Sequence, residues 1–234
     1  MSETASPDMN VIKRIIGVFT SPRLTFEAVR ERPGWVVPLI ILVLIGLAML
    51  ALMGPVIMKE QMGRQVEMMQ DRGMSQNQID QAMERGAKIG NIMMYVFGVI
   101  GPVVAFLISA AVWLFVCNVL LGGAAKYAQM LGVVVYQAFI ATLGGLIKLP
   151  IILSRETLNV HFSLATFMSE SGKETFIYKL LSKVELFNVW GIIVLCIGIA
   201  VIGRHDIKKV WPPVVGIFVL WYLATSAFGG MFGM

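Results

Sequence analysis

VWGIIVLCIGIAVIG (Val189–Gly203), RHDIKK (Arg204–Lys209) and VWPPVVGIFVLWYLATSAF (Val210–Phe228) are two apolar runs and the basic turn between them, and this stretch decides the fold class. Neither run contains a charged side chain. Runs of about 18 or more mostly apolar residues are typical of transmembrane helices. We therefore predict a pair of membrane-spanning helices joined by a short basic turn.

The composition of the whole chain supports a membrane protein. Hydrophobic residues make up 57% of the 234 residues and charged residues 14%. Soluble domains have about 45–50% apolar and about 25% charged residues. Three further apolar runs precede the pair. The sequence thus predicts an all-α, five-span transmembrane helical bundle, with spans at about 35–58, 92–121, 128–153, 189–203 and 210–228.

Residues 1–34 form a predicted N-terminal tail that precedes the membrane domain, residues 35–234. In NVIKRIIGVF, Asn10–Phe19, the apolar residues recur at helical spacing on one face, which indicates an amphipathic helix suited to the membrane interface. A second short helix is predicted for Arg23–Arg32, ending at Pro33-Gly34. The two helices either dock against the spans or bind a partner, and the pattern leaves both open.

The segment 59–91, between spans one and two, is predicted to be an extramembrane helical hairpin. Met62, Val66 and Met69 continue a helical stripe beyond span one. Gly73 suits a helix C-cap, and SQNQ (Ser75–Gln78) matches a capping box that starts the next helix. In the second long connection, 154–188, the pieces VHFSLATFM and TFIYKLL predict short interfacial helices separated at Gly172.

The distribution of Lys and Arg predicts the orientation. The turn with Arg204, Lys208 and Lys209 is the densest basic patch, and basic residues accumulate in cytoplasmic loops. With five spans, this places the N-terminus in the cytoplasm and the C-terminus outside the cell's inner (plasma) membrane. The net charge of +5 then bears on topology and on contact with anionic membrane lipids, and no nucleic-acid partner is predicted.

Catalytic and cofactor-binding patterns are missing from the sequence. There is no HExxH, GxxxxGK[ST], Gly-x-Ser-x-Gly or CxxC motif, and the two histidines, His161 and His205, fall in different connections. Cys117 and Cys196 lie in apolar runs, which favours buried free thiols. We therefore predict no enzymatic activity, no metal and no cofactor.

Three polar positions within the apolar runs are candidate functional residues: Asn118, Gln137 and Lys148. Asn118 and Gln137 are more simply explained by hydrogen bonds between helices. Lys148 lies near the end of span three and can extend its ammonium to the interface. The alternatives are a polar path through the membrane or a buried cation that meets a lipid headgroup or a partner's carboxylate.

The chain resembles the Yip domain family of Ypt/Rab-interacting membrane proteins, in its prokaryotic branch. The resemblance is carried by the passages SPRLTFEAVRERPGW, GGAAKYAQMLGVVVYQAF (Gly122–Phe139) and LFNVWGIIVLCIGIAVIGRHDIKK (Leu186–Lys209). It implies five spans, a cytoplasmic N-terminus and no catalysis. The chain lacks the long acidic, Pro-rich region of eukaryotic members, so the resemblance carries over no contact residues for small GTPases.

The sequence favours a non-enzymatic accessory or scaffold protein of the bacterial inner membrane, which assists a transporter or membrane organisation. Its expected partners are membrane lipids and either another membrane protein or further copies of the chain. A small transporter or channel is the alternative, and it requires a polar path along Asn118, Gln137 and Lys148. A lipid-handling, scramblase-like protein is a third hypothesis.

Overall fold

The chain folds into α-helices throughout the part that the computed structural model describes, residues 9–158, 160 and 185–228. Its helices are α1 Val11–Thr20, α2 Pro22–Glu31, α3 Val36–Asp71, α4 Gln76–Phe115, α5 Tyr127–Arg155, α6 Leu186–Gly203 and α7 Ile207–Phe228. A π-helical turn, Val116–Leu120, continues α4. The predicted all-α class is confirmed.

Five of these helices, α3 to α7, are long and apolar enough to span a membrane, as predicted. The 36 residues of α3 and the 40 of α4 give lengths of about 54 and 60 Å at 1.5 Å per residue. The hydrocarbon core of a bilayer is only about 30 Å thick. Both helices therefore extend well beyond the membrane.

The chain divides into two compact units. The first, here the packed unit, comprises Phe106–Gly144 and the described parts of residues 1–40 and 161–234. The second, here the hairpin unit, comprises Ile41–Ala105 and Gly145–Val160. The helices α1, α2, α6 and α7 lie entirely in the packed unit.

In the hairpin unit, α3 and α4 form the predicted helical hairpin with its tip at Gly73. This glycine has a φ of +73°, and the N–H of Met74 donates to the carbonyl of Met69 at 3.1 Å, which closes the end of α3 as a Schellman-type cap. At the start of α4, Gln78 Oε1 accepts from the backbone N–H of Ser75 at 3.0 Å. Local cap chemistry thus sets where the chain reverses.

The apolar stripe of the protruding arms is used inside the hairpin. Met62, Val66 and Met69 are half-buried on α3, and Ile79 of α4 is buried. Nearer the membrane, a Cβ built on Gly90 would lie 3.9 Å from Met58 Cε, which shows how closely the arms approach. The methionines therefore act as packing residues between two helices.

In the packed unit, α1 and α2 form a short hairpin, and α2 packs along α6. The side chains of Thr25, Phe26, Ala28 and Val29 are buried on α2. Glycines allow the close approach: a Cβ on Gly198 of α6 would lie 3.2 Å from Phe26 Cε2. α2 therefore docks against the membrane-spanning helices, which is one of the two roles that the sequence left open; the other is binding a partner.

The amphipathic pattern of α1 predicts that Arg14 lies off the apolar face, but Arg14 is buried, whereas Ile12 and Ile16 of that face are exposed. Its Nε donates to the carbonyl of Met9 at 2.9 Å, and its Nη1 donates to the carbonyl of Arg32 at 2.6 Å. A guanidinium has five donors and can satisfy several carbonyls at once. Arg14 therefore caps the end of α2.

Some predictions fall outside the described residues. These are the interfacial helices at VHFSLATFM and TFIYKLL, the separation at Gly172, and the surroundings of His161.

Candidate functional site: a basic pocket at the α6–α7 turn

Asn118, the first candidate polar position, is bound to the backbone of a turn. Its Nδ2 donates to the carbonyl of Ala125 at 2.9 Å, and its Oδ1 accepts from the N–H of Ala125 at 2.8 Å. Both ends of the amide are therefore used to fix the connection between the π-helical turn and α5.

Gln137 and Lys148, the other two positions, lie on α5. A Cβ built on Gly191 would lie 2.6 Å from Gln137 Nε2, so the amide packs where α6 has no side chain. Lys148 is half-buried and has an interaction partner. Gln137 thus contacts α6, whereas Asn118 contacts the turn before α5, and these two amides have different partners.

The basic turn borders a cavity of about 640 Å³ between α2, the end of α6 and the start of α7. Its polar lining is Arg23, Glu27, Arg30, Arg204, His205 and Asp206, and its apolar lining is Ile197, Ala200, Val201 and Ile207. We call it the basic pocket. The predicted basic residues Arg204, Lys208 and Lys209 are all exposed, and of these three only Arg204 lines the pocket.

Both carboxylates of the basic pocket are engaged within the protein. Glu27 Oε1 lies 3.3 Å from Arg23 Nε, one helical turn away. Asp206 Oδ1 accepts from the backbone N–H of Lys208 at 2.9 Å, as the N-cap residue of a helix does. Arg30 Nη1 donates to the carbonyl of Val201 at 3.2 Å, which ties α2 to the end of α6. Three guanidiniums against two carboxylates leave the pocket positive.

Arg204 adopts a backbone conformation that is usually occupied by glycine. It ends α6 with φ 56° and ψ 40°, in the left-handed region. The N–H groups of Arg204 and His205 both bond to the carbonyl of Ala200, which satisfies the helix end. A residue with a side chain in this conformation costs roughly 1–3 kcal/mol. Arg204 therefore contributes its positive charge to the pocket from a strained backbone position.

His205 packs against the segment that ends α4. A Cβ on Gly203 would lie 2.7 Å from Cys117 Sγ and 2.8 Å from His205 Nε2, so these side chains meet beside Gly203. His205 Nε2 is buried without a hydrogen-bond partner in the described part of the chain. Within those same residues, no group of three His, Cys, Asp or Glu side chains is placed to hold a metal. Cys117 and Cys196 are free and buried, as predicted.

In the hairpin unit, the end of α5 is attached to the base of the hairpin. Lys59 Nζ lies 2.6 Å from Glu156 Oε2, and this hydrogen bond and the charge of the ammonium lower the pKa of Glu156 from its ordinary value. Glu60 Oε1 accepts from the N–H of Leu158 at 2.7 Å and from Thr157 Oγ1 at 3.1 Å. These bonds hold residues 156–158 against α3 where the apolar part of that helix ends.

Sequence reasoning missed Arg23, Glu27 and Arg30, the α2 side of the basic pocket. A signal for them was present, because the spacing i, i+4, i+7 places all three on one face of a helix. This side of α2 lines the pocket only because α2 packs along α6. The contact between α2 and α6 joins residues 171 positions apart in the sequence, so a local sequence pattern cannot predict it.

Comparison with known proteins gives one family and one relative. The family model of the Yip1 domain matches residues 16–231. Membrane protein YknW of Bacillus subtilis (strain 168) is 25% identical over 217 residues, which cover 93% of this chain and 90% of YknW. No solved structure matches the chain.

Proposed function

Because this chain belongs to the Yip1 domain family, we propose that it is a non-enzymatic accessory or scaffold protein of the bacterial inner membrane. The similarity to a bacterial membrane protein supports the location. We also propose that the N-terminus faces the cytoplasm, which places the α6–α7 turn on the same side.

The observation that carries the proposal is the protruding α3–α4 hairpin. From Lys59 to its tip at Gly73 it extends about 20 Å at 1.5 Å per residue, farther than lipid tails can cover. Its internal stripe makes the two arms support each other, so the outer faces are free of a packing role. Those faces are polar, with interspersed apolar side chains such as Met68, which is 48% exposed.

We infer that the partner is another membrane protein that contacts these outer faces. A rigid helical hairpin presents side chains at fixed spacing, which suits recognition of a second helical surface. Both ends of the Asn118 amide bond to the turn before α5, which takes one of the three positions away from the polar path that the transport alternative requires.

Photocrosslinking in native membranes tests the proposal. A photoreactive phenylalanine analogue replaces Met68 on the outer face of the hairpin. The control carries the same analogue in place of Leu44, which is 60% exposed on the apolar part of α3. We expect the probe at position 68 to join the chain to one defined membrane protein and the probe at position 44 to join it to lipid. Equal protein yields from both positions, or none from position 68, would contradict the proposal.

A further inference from the structure

The basic pocket has a lining that the proposed function does not use. Its volume of about 640 Å³ falls within the range of ligand sites, roughly 300–1,000 Å³. Ile197, Ala200 and Val201 line it from the last turns of α6, which spans the membrane. The pocket therefore lies where a membrane helix changes from an apolar to a basic environment.

The positive charge of the pocket is not cancelled by its own carboxylates. Glu27 pairs with Arg23, and Asp206 caps α7 through the N–H of Lys208. Arg30 uses one N–H on the carbonyl of Val201, out of the five that a guanidinium carries. Arg30 and Arg204 both line this cavity. An anion with several acceptor oxygens fits this arrangement.

The conformation of Arg204 adds an independent observation. A glycine at the end of α6 would adopt φ 56° without strain, yet position 204 carries a cationic residue, and this residue lines the cavity. Strained backbone positions cluster at ligand clamps and other functional sites.

We propose that the basic pocket binds the headgroup of an anionic phospholipid. Arg30 and Arg204 donate to the phosphate oxygens, and the apolar wall from Ile197 to Val201 contacts the glycerol and the first carbons of an acyl chain. Basic pockets between membrane helices suit anionic headgroups. Free phosphate has the same anionic oxygens as the lipid headgroup. However, it would leave the apolar wall of the pocket without a contact, so the lining favours the lipid.

Titration of the purified, delipidated full-length chain with soluble short-chain lipids tests the proposal. The probes are dihexanoyl phosphatidylglycerol, dihexanoyl phosphatidylcholine and inorganic phosphate, with affinity read by calorimetry and melting temperature recorded in parallel. We expect the phosphatidylglycerol to bind and to raise the melting temperature of the protein. The phosphatidylcholine and inorganic phosphate are expected to bind at least about tenfold more weakly.

Two variants and a control locate the binding. Arg204→Gly removes the guanidinium and relieves the backbone, so it is expected to fold at least as well while losing affinity about tenfold. Arg23→Gln changes an exposed pocket side chain and is expected to lower affinity less. Lys208→Gln removes the same charge from the same turn outside the lining, and affinity is expected to stay within about twofold.

Each of the following results would overturn the proposal. Equal binding of the two lipids would exclude recognition of the anionic headgroup. Equal binding of inorganic phosphate would assign the pocket to a free anion. An equal loss of lipid affinity in Lys208→Gln and in the pocket variants would show that binding depends only on the surface charge of the turn. If Arg204→Gly does not fold, unchanged affinity of Arg23→Gln would also contradict the assignment.

Discussion

Span four and span one have similar apolar sequences but very different surroundings. In α6, 44% of the most apolar 18-residue window is buried inside the protein, against 11% of that window in α3. Four glycines illustrate the difference: Gly132 and Gly198 of the packed unit touch neighbouring helices, whereas Gly46 and Gly63 of α3 face open space. Hydropathy thus identifies a span but does not tell whether protein or lipid covers it.

The difference follows from what drives association in a membrane. Lipid tails are as apolar as leucine, so an apolar face gains little by leaving lipid, and close packing and hydrogen bonds decide which helices meet. The packed unit has both: small residues along α5 and α6, and hydrogen bonds from Gln129 and Arg14 to two carbonyls at the C-terminal end of α2. α3 is covered by protein over little of its apolar length.

Removal of one phenylalanine from each unit should give the largest contrast. Phe26→Ala empties a fully buried site on α2, and such a cavity costs about 3–5 kcal/mol of unfolding free energy. Phe97 of α4 is 66% exposed, so Phe97→Ala should change stability little. Thermal unfolding in detergent compares the two variants. A loss of stability from Phe26→Ala as small as that expected for Phe97→Ala would show that α2 is not part of the folded core.

Alanine at two helix glycines should change stability in opposite directions. A Cβ at Gly132 would lie 2.7 Å from Val29 Cγ1 and 3.2 Å from the carbonyl oxygen of Pro33, so Gly132→Ala should destabilise by about 1–3 kcal/mol. Gly63 has open space around it, so Gly63→Ala should stabilise α3 by up to about 1 kcal/mol. Unfolding in a denaturing detergent measures both. The same sign for both substitutions would contradict the assigned packing.

The ion pair between Lys59 and Glu156 should give the smallest effect, because both side chains are exposed. The pKa of Glu156 is lowered in the folded protein, so its contribution is present above the pKa of the unfolded chain and is lost as the pH falls through the folded value. Glu156→Gln should therefore flatten the acid side of the profile of melting temperature against pH slightly. In a double-mutant cycle, Lys59→Gln should add nothing to Glu156→Gln; fully additive effects would exclude the pairing.

The sequence predicted those features that depend on neighbouring residues. The five spans follow from apolar runs, and the hairpin tip follows from Gly73 and the Ser75–Gln78 cap. Burial of Arg14 could not be predicted, because its partners are carbonyls at both ends of the α1–α2 hairpin. Of the pocket, the basic turn was predicted and the face of α2 was missed, since that face meets the turn only through tertiary packing.

The central claim, that the protruding hairpin binds a partner membrane protein, is tested most directly by shortening it. Deletion of residues 62–68 and 79–85 removes about two turns from each arm and keeps the tip from Met69 to Gln78, with both of its caps. The size of the complex is then measured for both chains in membranes solubilised without detergent. We expect the shortened chain to insert and melt like the full chain but to lose its complex. A complex of unchanged size would contradict the claim.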